Sequence, residues 1–488
     1  MTLPDAHKVQ KYDFLMLLPI LGLAFYLAFI PHQNYPYPVH LDEWFQLACS
    51  NEIMSQAGTT GITDPFSGSS PSVYQYFESG FHLFWGIFHQ LSGLSWLTIF
   101  KYFPGIIFII TVLAVYVLCR RQGFGWEGAL FTTLIPTTVG ILGPGFLVPV
   151  AMGLFFVPLC LFVAFNFRSI WSYVTLFIFT CVLLVLHSPT AVMLVIILFF
   201  YILFNLKNDP KHSLGITLAI GAPFLIILPW VYEILIKIGK VLLEPYPFPT
   251  HIEFPPLIEL YGYLPVALCL LGVLVLAVRS GKRGYGLIFG LLGLLIMLIT
   301  FSRLHYGISI LYERGILYMW LLVSIIAGAG LMWVRQLGLP EAVAYRLKAP
   351  WITQHLGKFL CLAIIGITLA VAIPQRLNLL YYHMIDAEDY RAFTWIRDNL
   401  GDNYEIAILD PWKATAFTAI TGKKVITRVH AVWRTSDEEA YRFLQSGSTN
   451  TTYLMANGVS VVYTRWPVDN PDLVEVETNI YVFTNRED

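Results

Sequence analysis

The chain has 488 residues, of which 57% are hydrophobic and only 12% charged, against roughly 25% charged in an ordinary soluble domain. Mean hydropathy is +0.65, which excludes both a soluble single-domain protein and a disordered one, and a net charge of -1 offers no basic face to nucleic acid. The charge is unevenly placed. Residues 1–382 hold 20 basic and 15 acidic side chains, while residues 383–488 hold 10 and 16. The sequence therefore reads as a membrane block, 1–382, followed by a small acidic domain, 383–488.

A hydrocarbon core about 30 Å thick needs roughly 20 apolar residues per helix. In chain order, such runs lie at 13–31, 96–119, 126–143, 146–166, 171–187, 189–206, 214–236, 258–278, 284–301, 311–334 and 356–375, eleven in all. The runs 126–143 and 171–187 are short and read as tilted or partly re-entrant. Between the first two spans lies a loop, 32–80, long enough to be functional. It ends in a segment, 80–91, too short to span. There His82, Trp85, Gly86 and His89 share one helical face and Phe and Leu fill the other, the pattern of a helix lying in the interface. A second loop, 243–251, is rich in Pro and aromatic residues and reads as extended.

Orientation follows from the basic residues. With the N-terminus in the cytoplasm, fourteen Lys and Arg of the membrane block fall on the inner side and six on the outer. Eleven spans then put the C-terminal domain outside. Asp42, Glu43, Glu52, Asp64, Glu78, Glu244, Glu253, Glu259 and Glu313 all fall on the outer side. The tail domain reads as α/β, with helices at 387–399 and 436–444 and strands at 405–409, 424–427, 459–464 and 480–484. Five of the six cysteines lie in apolar runs, where Cys acts as a small hydrophobe, and their spacing suggests neither a disulfide framework nor a zinc site.

The sharpest constellation is His40-Leu41-Asp42-Glu43-Trp44. Adjacent carboxylates at membrane level are costly unless paired, hydrated or used. Such a pair suits a base that accepts a proton from an attacking hydroxyl, or the binding of a divalent metal such as Mg or Mn. It also suits the plain task of starting a helix. Arg303, His305, Tyr312, Glu313 and Arg314 surround the outer entry to the tenth run. Arginine there fits an anionic group held by its bidentate fork, or a headgroup reached by snorkelling. His187-Ser188-Pro189 joins two runs, and His187 is either a phosphate contact or a polar filler at a helix end. Asp64, Tyr74, Tyr76 and Glu78 form an acid and aromatic loop of the kind that takes sugars, and equally a turn with an interface belt. Asp410-Pro411-Trp412-Lys413 follows a strand end, where ligand loops often sit, and reads more simply as a turn with a packed Trp.

Together these residues resemble the C-type (GT-C) integral-membrane glycosyltransferases: an N-in first helix, a first outer loop with an acidic pair, an interfacial helix, a polytopic bundle and an outer C-terminal domain. His40-Leu41-Asp42-Glu43 is similar to the family's loop-one motif, Arg314 to its lipid-phosphate arginine and His187-Ser188-Pro189 to its prokaryotic "HP" turn. The resemblance implies an inverting transferase of the cytoplasmic membrane that works on the extracytoplasmic face. Its donor would be a polyprenyl-phosphate-linked sugar and its acceptor a glycan, lipid or protein. Asp42 would be the catalytic carboxylate, with Glu43 orienting the acceptor or holding a metal. His40, Asp64, Glu78, His187, Arg303, Tyr312, Glu313 and Arg314 would bind substrate. The tail lacks the WWDYG string of oligosaccharyltransferases, which points away from peptide-sequon recognition and towards monosaccharide transfer. The alternative class is a transporter or flippase of a lipid-linked or anionic solute. That class needs ionisable groups at mid-membrane, whereas the runs read here as free of interior charge.

Overall fold

The computed structural model describes residues 13–56, 63–69, 78–138, 140–243, 254–338, 350–430 and 433–483. In chain order the helices of the first two thirds are α1 (Asp13–Phe29), α2 (Leu41–Ser55), α3 (Ser79–Ser92), α4 (Trp96–Arg120), α5 (Gly125–Thr132), α6 (Pro149–Asn166), α7 (Ile170–Leu206), α8 (Pro210–Leu243), α9 (Phe254–Tyr261), α10 (Tyr263–Arg279), α11 (Gly281–Leu304), α12 (Ser309–Arg335) and α13 (Pro350–Leu377). The remainder is α14 (Ala387–Asn399), β1 (Ile406–Ile408), α15 (Ala414–Thr421), β2 (Lys424–Val425), α16 (Thr435–Gln445), α17 (Thr451–Ala456), β3 (Val461–Tyr463), β4 (Leu473–Glu477) and β5 (Ile480–Phe483). These form two compact units. One holds residues 1–31 and 102–380, the other residues 32–101 and 381–488. The first loop thus packs with the C-terminal domain, a grouping that composition alone divides differently.

In the helical unit, eight helices among the described residues are long and apolar enough to cross a membrane, against eleven expected runs. The difference has three sources. First, the runs 171–187 and 189–206 are joined in α7, whose 37 residues contain one non-helical residue, His187, at φ -164° and ψ 89°. Pro189 removes a backbone donor and its ring crowds the turn before it. The two halves of α7 fold back on each other. Tyr173 and Tyr201 would stand about 42 Å apart on a straight helix, yet their rings lie 5.8 and 6.2 Å from that of His212. Second, the run 258–278 is divided between α9 and the 17-residue α10 around Gly262, at φ 107°.

Third, the run 126–143 is not one spanning helix: only seven of its residues are helical, in α5, and irregular chain follows, almost all of it buried. Irregular backbone is tolerated at membrane depth only where protein satisfies its polar groups. Here Arg376, 4% exposed, donates from Nη1 to the Ile135 carbonyl at 3.2 Å and from Nη2 to that of Leu134. Ser324 Oγ donates to the Phe131 carbonyl at 3.2 Å. One buried charge pair lies at helix ends rather than in a span interior. Glu127, fully buried in α5, pairs with Arg335 Nη2 at 2.7 Å. Helix α12 is buried along its whole apolar window, while large side chains such as Trp171, Leu225, Leu270 and Leu362 point outwards, as a lipid-facing rim requires.

In the other unit a five-stranded sheet runs in the order β2-β1-β3-β5-β4. Strands β2, β1 and β3 are parallel, and β5 and β4 antiparallel. The expected strands and helices of the tail are all present, somewhat trimmed or extended, and α15, α17 and β4 are additions. Ile408, Leu444, Leu454, Val462 and Phe483 form part of the core beneath the helices. Loop one joins this unit through backbone pairing of Val425 N with the Phe66 carbonyl at 3.0 Å and through Asn51 Nδ2 on the Ala419 carbonyl at 3.2 Å. The segment 80–91 is helical, as α3. Tyr74, Tyr76 and the loop 244–251 lie outside the described residues.

Candidate active site

His40 is the N-cap of α2, in extended conformation, and its Nδ1 accepts from Asp42 N at 3.0 Å. Glu43 reaches back: its Oε2 accepts from His40 N at 3.2 Å and from Val39 N at 2.8 Å. This reciprocal capping box satisfies backbone donors that the first helical turn leaves open. Glu43 is fully buried, with Oε1 3.9 Å from the equally buried His32 Nε2. The neighbouring carboxylates therefore part. Glu43 is committed to the helix start, while the Asp42 side chain is 31% exposed, with Oδ1 3.8 Å from His40 Nδ1. Among the described residues no group of three His, Cys, Asp or Glu side chains is placed to hold a metal.

One turn along α2, Gln46 donates to Glu78 Oε2 at 2.9 Å, and its Oε1 meets His82 Nε2. Burial alone pushes His82 down to about 3. Asp64 shapes its own turn by accepting from Ser67 Oγ at 2.7 Å. Beside Asp42 and Asp64 stand two residues from the segment after β2. Arg428 lies over the rings of Phe66 and Phe45, at 4.0 and 5.2 Å, and its Nη1 donates to His430 Nδ1 at 3.3 Å. Burial, and then the Arg428 charge, hold His430 below the usual histidine range, with Asp42 and Asp64 pulling the other way. Sequence reasoning missed Arg428, His430 and Gln46, because nothing in their local pattern links them to loop one.

The tail domain contributes a second polar cluster. Asp389, 1% exposed, accepts from Lys413 Nζ at 2.8 Å, Tyr463 Oη at 2.7 Å and Arg465 Nη2 at 2.9 Å. Arg465 also forks onto Asp386, at 2.9 and 2.7 Å, and holds that carboxyl well below its usual range. A cleft of about 400 Å³ beside it is lined by Tyr35, Tyr37, His383, Asp386, Asp389 and Lys413. Asp410-Pro411-Trp412-Lys413 is the expected turn, closed by Lys413 N on the Asp410 carbonyl at 2.9 Å, but Trp412 is 42% exposed rather than packed away.

In the helical unit the structure gathers the other candidates at one end of the bundle. His187 is 2% exposed, and its Nδ1 pairs with Thr190 Oγ1 at 2.7 Å. Thr190 in turn meets Tyr318 Oη. Arg314, one turn before Tyr318 on α12, is near enough for its charge to act on both His187 and Tyr318. Tyr312 is buried and stacks on Phe301 at 4.8 Å. Glu313 and Arg314 are half-buried and Arg303, in the last turn of α11, is exposed. Thr190 and Tyr318 read in sequence as ordinary span residues; only the fold-back of α7 brings them to His187.

Over more than nine tenths of its length the chain shares the fold of GT-C membrane glycosyltransferases. The archaeal oligosaccharyltransferase AglB from Archaeoglobus fulgidus, solved with an inhibitory peptide and a dolichol-phosphate, superposes with a TM-score of 0.61 at 13% identity, covering 93% of this chain and 70% of that one. The same organism's oligosaccharyltransferase in complex with Zn and sulfate gives 0.56 at 16% identity, over 92% and 67%. ArnT from Cupriavidus metallidurans, bound to undecaprenyl phosphate, gives 0.56 at 13% identity, over 97% and 98%. No family model matches the sequence, and no curated protein does.

Proposed function

We propose that the protein is a membrane glycosyltransferase that moves a sugar from a polyprenyl-phosphate donor to an acceptor on the extracytoplasmic side of the cytoplasmic membrane, with inversion. The observation that carries the assignment of roles is the parting of Asp42 from Glu43, on a fold shared with proteins solved with dolichol-phosphate and undecaprenyl phosphate. The acceptor hydroxyl oxygen attacks the anomeric carbon as its proton passes to the Asp42 carboxylate. The bond from that carbon to the phosphate oxygen breaks, and the leaving phosphate takes the electron pair. Arg314, aided by Arg303, stabilises the charge that develops there. His187, Thr190 and Tyr318 hold the turn beside Arg314. Monosaccharide transfer fits the absence of a WWDYG string. A Zn complex of the archaeal enzyme raises a metal as a candidate, but Glu43 is taken up by the helix cap, so the Asp42 and Glu43 pair does not fit one. Incubation of the purified protein in bilayer discs with labelled polyprenyl-phosphate sugars, followed by mass spectrometry of lipid and glycan products, tests the reading. Failure to consume any such donor overturns it.

A further inference from the structure

The three parallel strands β2, β1 and β3 end at one edge of the tail sheet, and the segment after each carries a tryptophan: Trp433 after β2, Trp412 after β1 and Trp466 after β3. Tyr382 and Tyr441 join them into a continuous row of rings. The centroid spacings are 6.3 Å from Tyr382 to Trp412, 6.0 Å to Trp433, 5.8 Å to Tyr441 and 5.1 Å to Trp466. The first three rings are open, with Tyr382 54%, Trp412 42% and Trp433 37% exposed, while Tyr441 and Trp466 are half-buried. Large rings left in water forgo the stabilisation of burial, roughly 25 cal/mol for each Å² of apolar surface. Such a row therefore calls for an occupant.

The rings are also held in place. Trp433 Nε1 donates to Glu438 Oε2 at 3.0 Å, and Glu438 Oε1 accepts from Arg442 Nε at 2.7 Å. Trp412 N donates to Asp410 Oδ1 at 3.0 Å. A pre-ordered aromatic platform loses little conformational freedom on binding, and in α/β sheets the crevice beyond the carboxyl ends of the strands is where ligands sit.

The surroundings select the ligand. Asp410 and Glu438 accept hydroxyl protons and Arg442 donates, next to flat apolar faces. That combination matches a sugar ring, which offers a C–H face and a rim of hydroxyls. The tail carries 16 acidic against 10 basic residues, a balance that repels an anionic lipid surface. The three open rings, tilted by 42° and 31° from one to the next, fit a few linked sugar units better than one, while Tyr441 and Trp466 stand edge-on behind them, Trp466 against the core. We propose that the open rings of Tyr382, Trp412 and Trp433, backed by Tyr441 and Trp466, are a binding track for an uncharged saccharide chain. The proposal does not depend on the role given to Asp42.

The full-length protein in bilayer discs is titrated with soluble hexasaccharides of β-linked glucose, β-linked N-acetylglucosamine and α-linked mannose, followed by tryptophan emission and saturation-transfer NMR. At least one is expected to bind at micromolar to millimolar concentration. Trp412→Ala with Trp433→Ala should weaken that binding by about tenfold or more, while Trp412→Phe with Trp433→Phe, which keeps the rings, should retain most of it. Binding unaffected by the double alanine variant overturns the track, as does failure of all three glycans to bind the wild-type protein. If both double variants unfold, transfer of NMR saturation from the indole protons of wild-type protein to the sugar decides, and its absence overturns the proposal. Quenching by brominated acyl chains that is larger in wild-type protein than in the double phenylalanine variant would make the row a membrane contact instead.

Discussion

Glu43 and His40 cap one another: the carboxylate of Glu43 accepts from His40 N at 3.2 Å, while the ring of His40 takes the next free donor of the same helix, Asp42 N, at 3.0 Å. That closure separates the acidic pair into one residue that starts α2 and one that faces outwards.

The two carboxylates should therefore fail differently. Asp42→Asn is expected to lower transfer by about 10²–10⁴-fold, the usual weight of a general base, with an unchanged unfolding temperature. Glu43→Ala should cost about 1–2 kcal/mol through the lost cap, and transfer should fall only with the amount of folded protein. Single-turnover rates alongside thermal unfolding in detergent separate the two cases; a rate loss at Glu43 equal to that at Asp42 would return it to the catalytic step.

Arg314 shares its end of the bundle with His187 and Tyr318. Arg314→Ala should weaken binding of polyprenyl phosphate by roughly tenfold or more, and Arg314→Lys by less, since a point charge replaces a bidentate fork. Equilibrium binding of a fluorescent lipid phosphate reads this directly, and equal affinity in all three proteins would remove Arg314 from the phosphate site.

Arg376 holds together the irregular stretch after α5 by donating to the carbonyls of Leu134 and Ile135. Arg376→Met leaves buried acceptors unserved and should cost about 2–4 kcal/mol. A drop in unfolding temperature without a change in donor affinity is the expected result.

His82 gives a pH signature. Its folded pKa of about 3 lies below the ordinary value near 6.5. The unfolded chain therefore binds the extra proton first, and stability is lost as pH falls below about 6.5. At pH 5 the loss from this group is about 2 kcal/mol, and His430, shifted the same way, adds to it. His82→Gln keeps a donor to Gln46 without titrating. Its unfolding temperature should fall less steeply between pH 7 and pH 5 than that of the wild type. Parallel curves would contradict the assignment.

Hydropathy and charge balance sufficed to show a membrane block followed by an acidic α/β tail, because lipid and water sort residues by composition before any contact forms. The loop-one helix and the break before Pro189 were likewise legible, since caps and prolines act within a few residues. Tertiary structure decided the rest. It divided Asp42 from Glu43 by geometry that adjacency conceals, and brought Tyr318 to His187 by folding α7 back. It also set Arg428 and His430 beside a helix almost 400 residues earlier. An apolar run such as 126–143 looks like a span whether or not it is helical. Only packing, and the guanidinium of Arg376, determine that its backbone leaves the helix. Contacts between residues distant in sequence carry no local period, so they appear only once the chain has closed on itself.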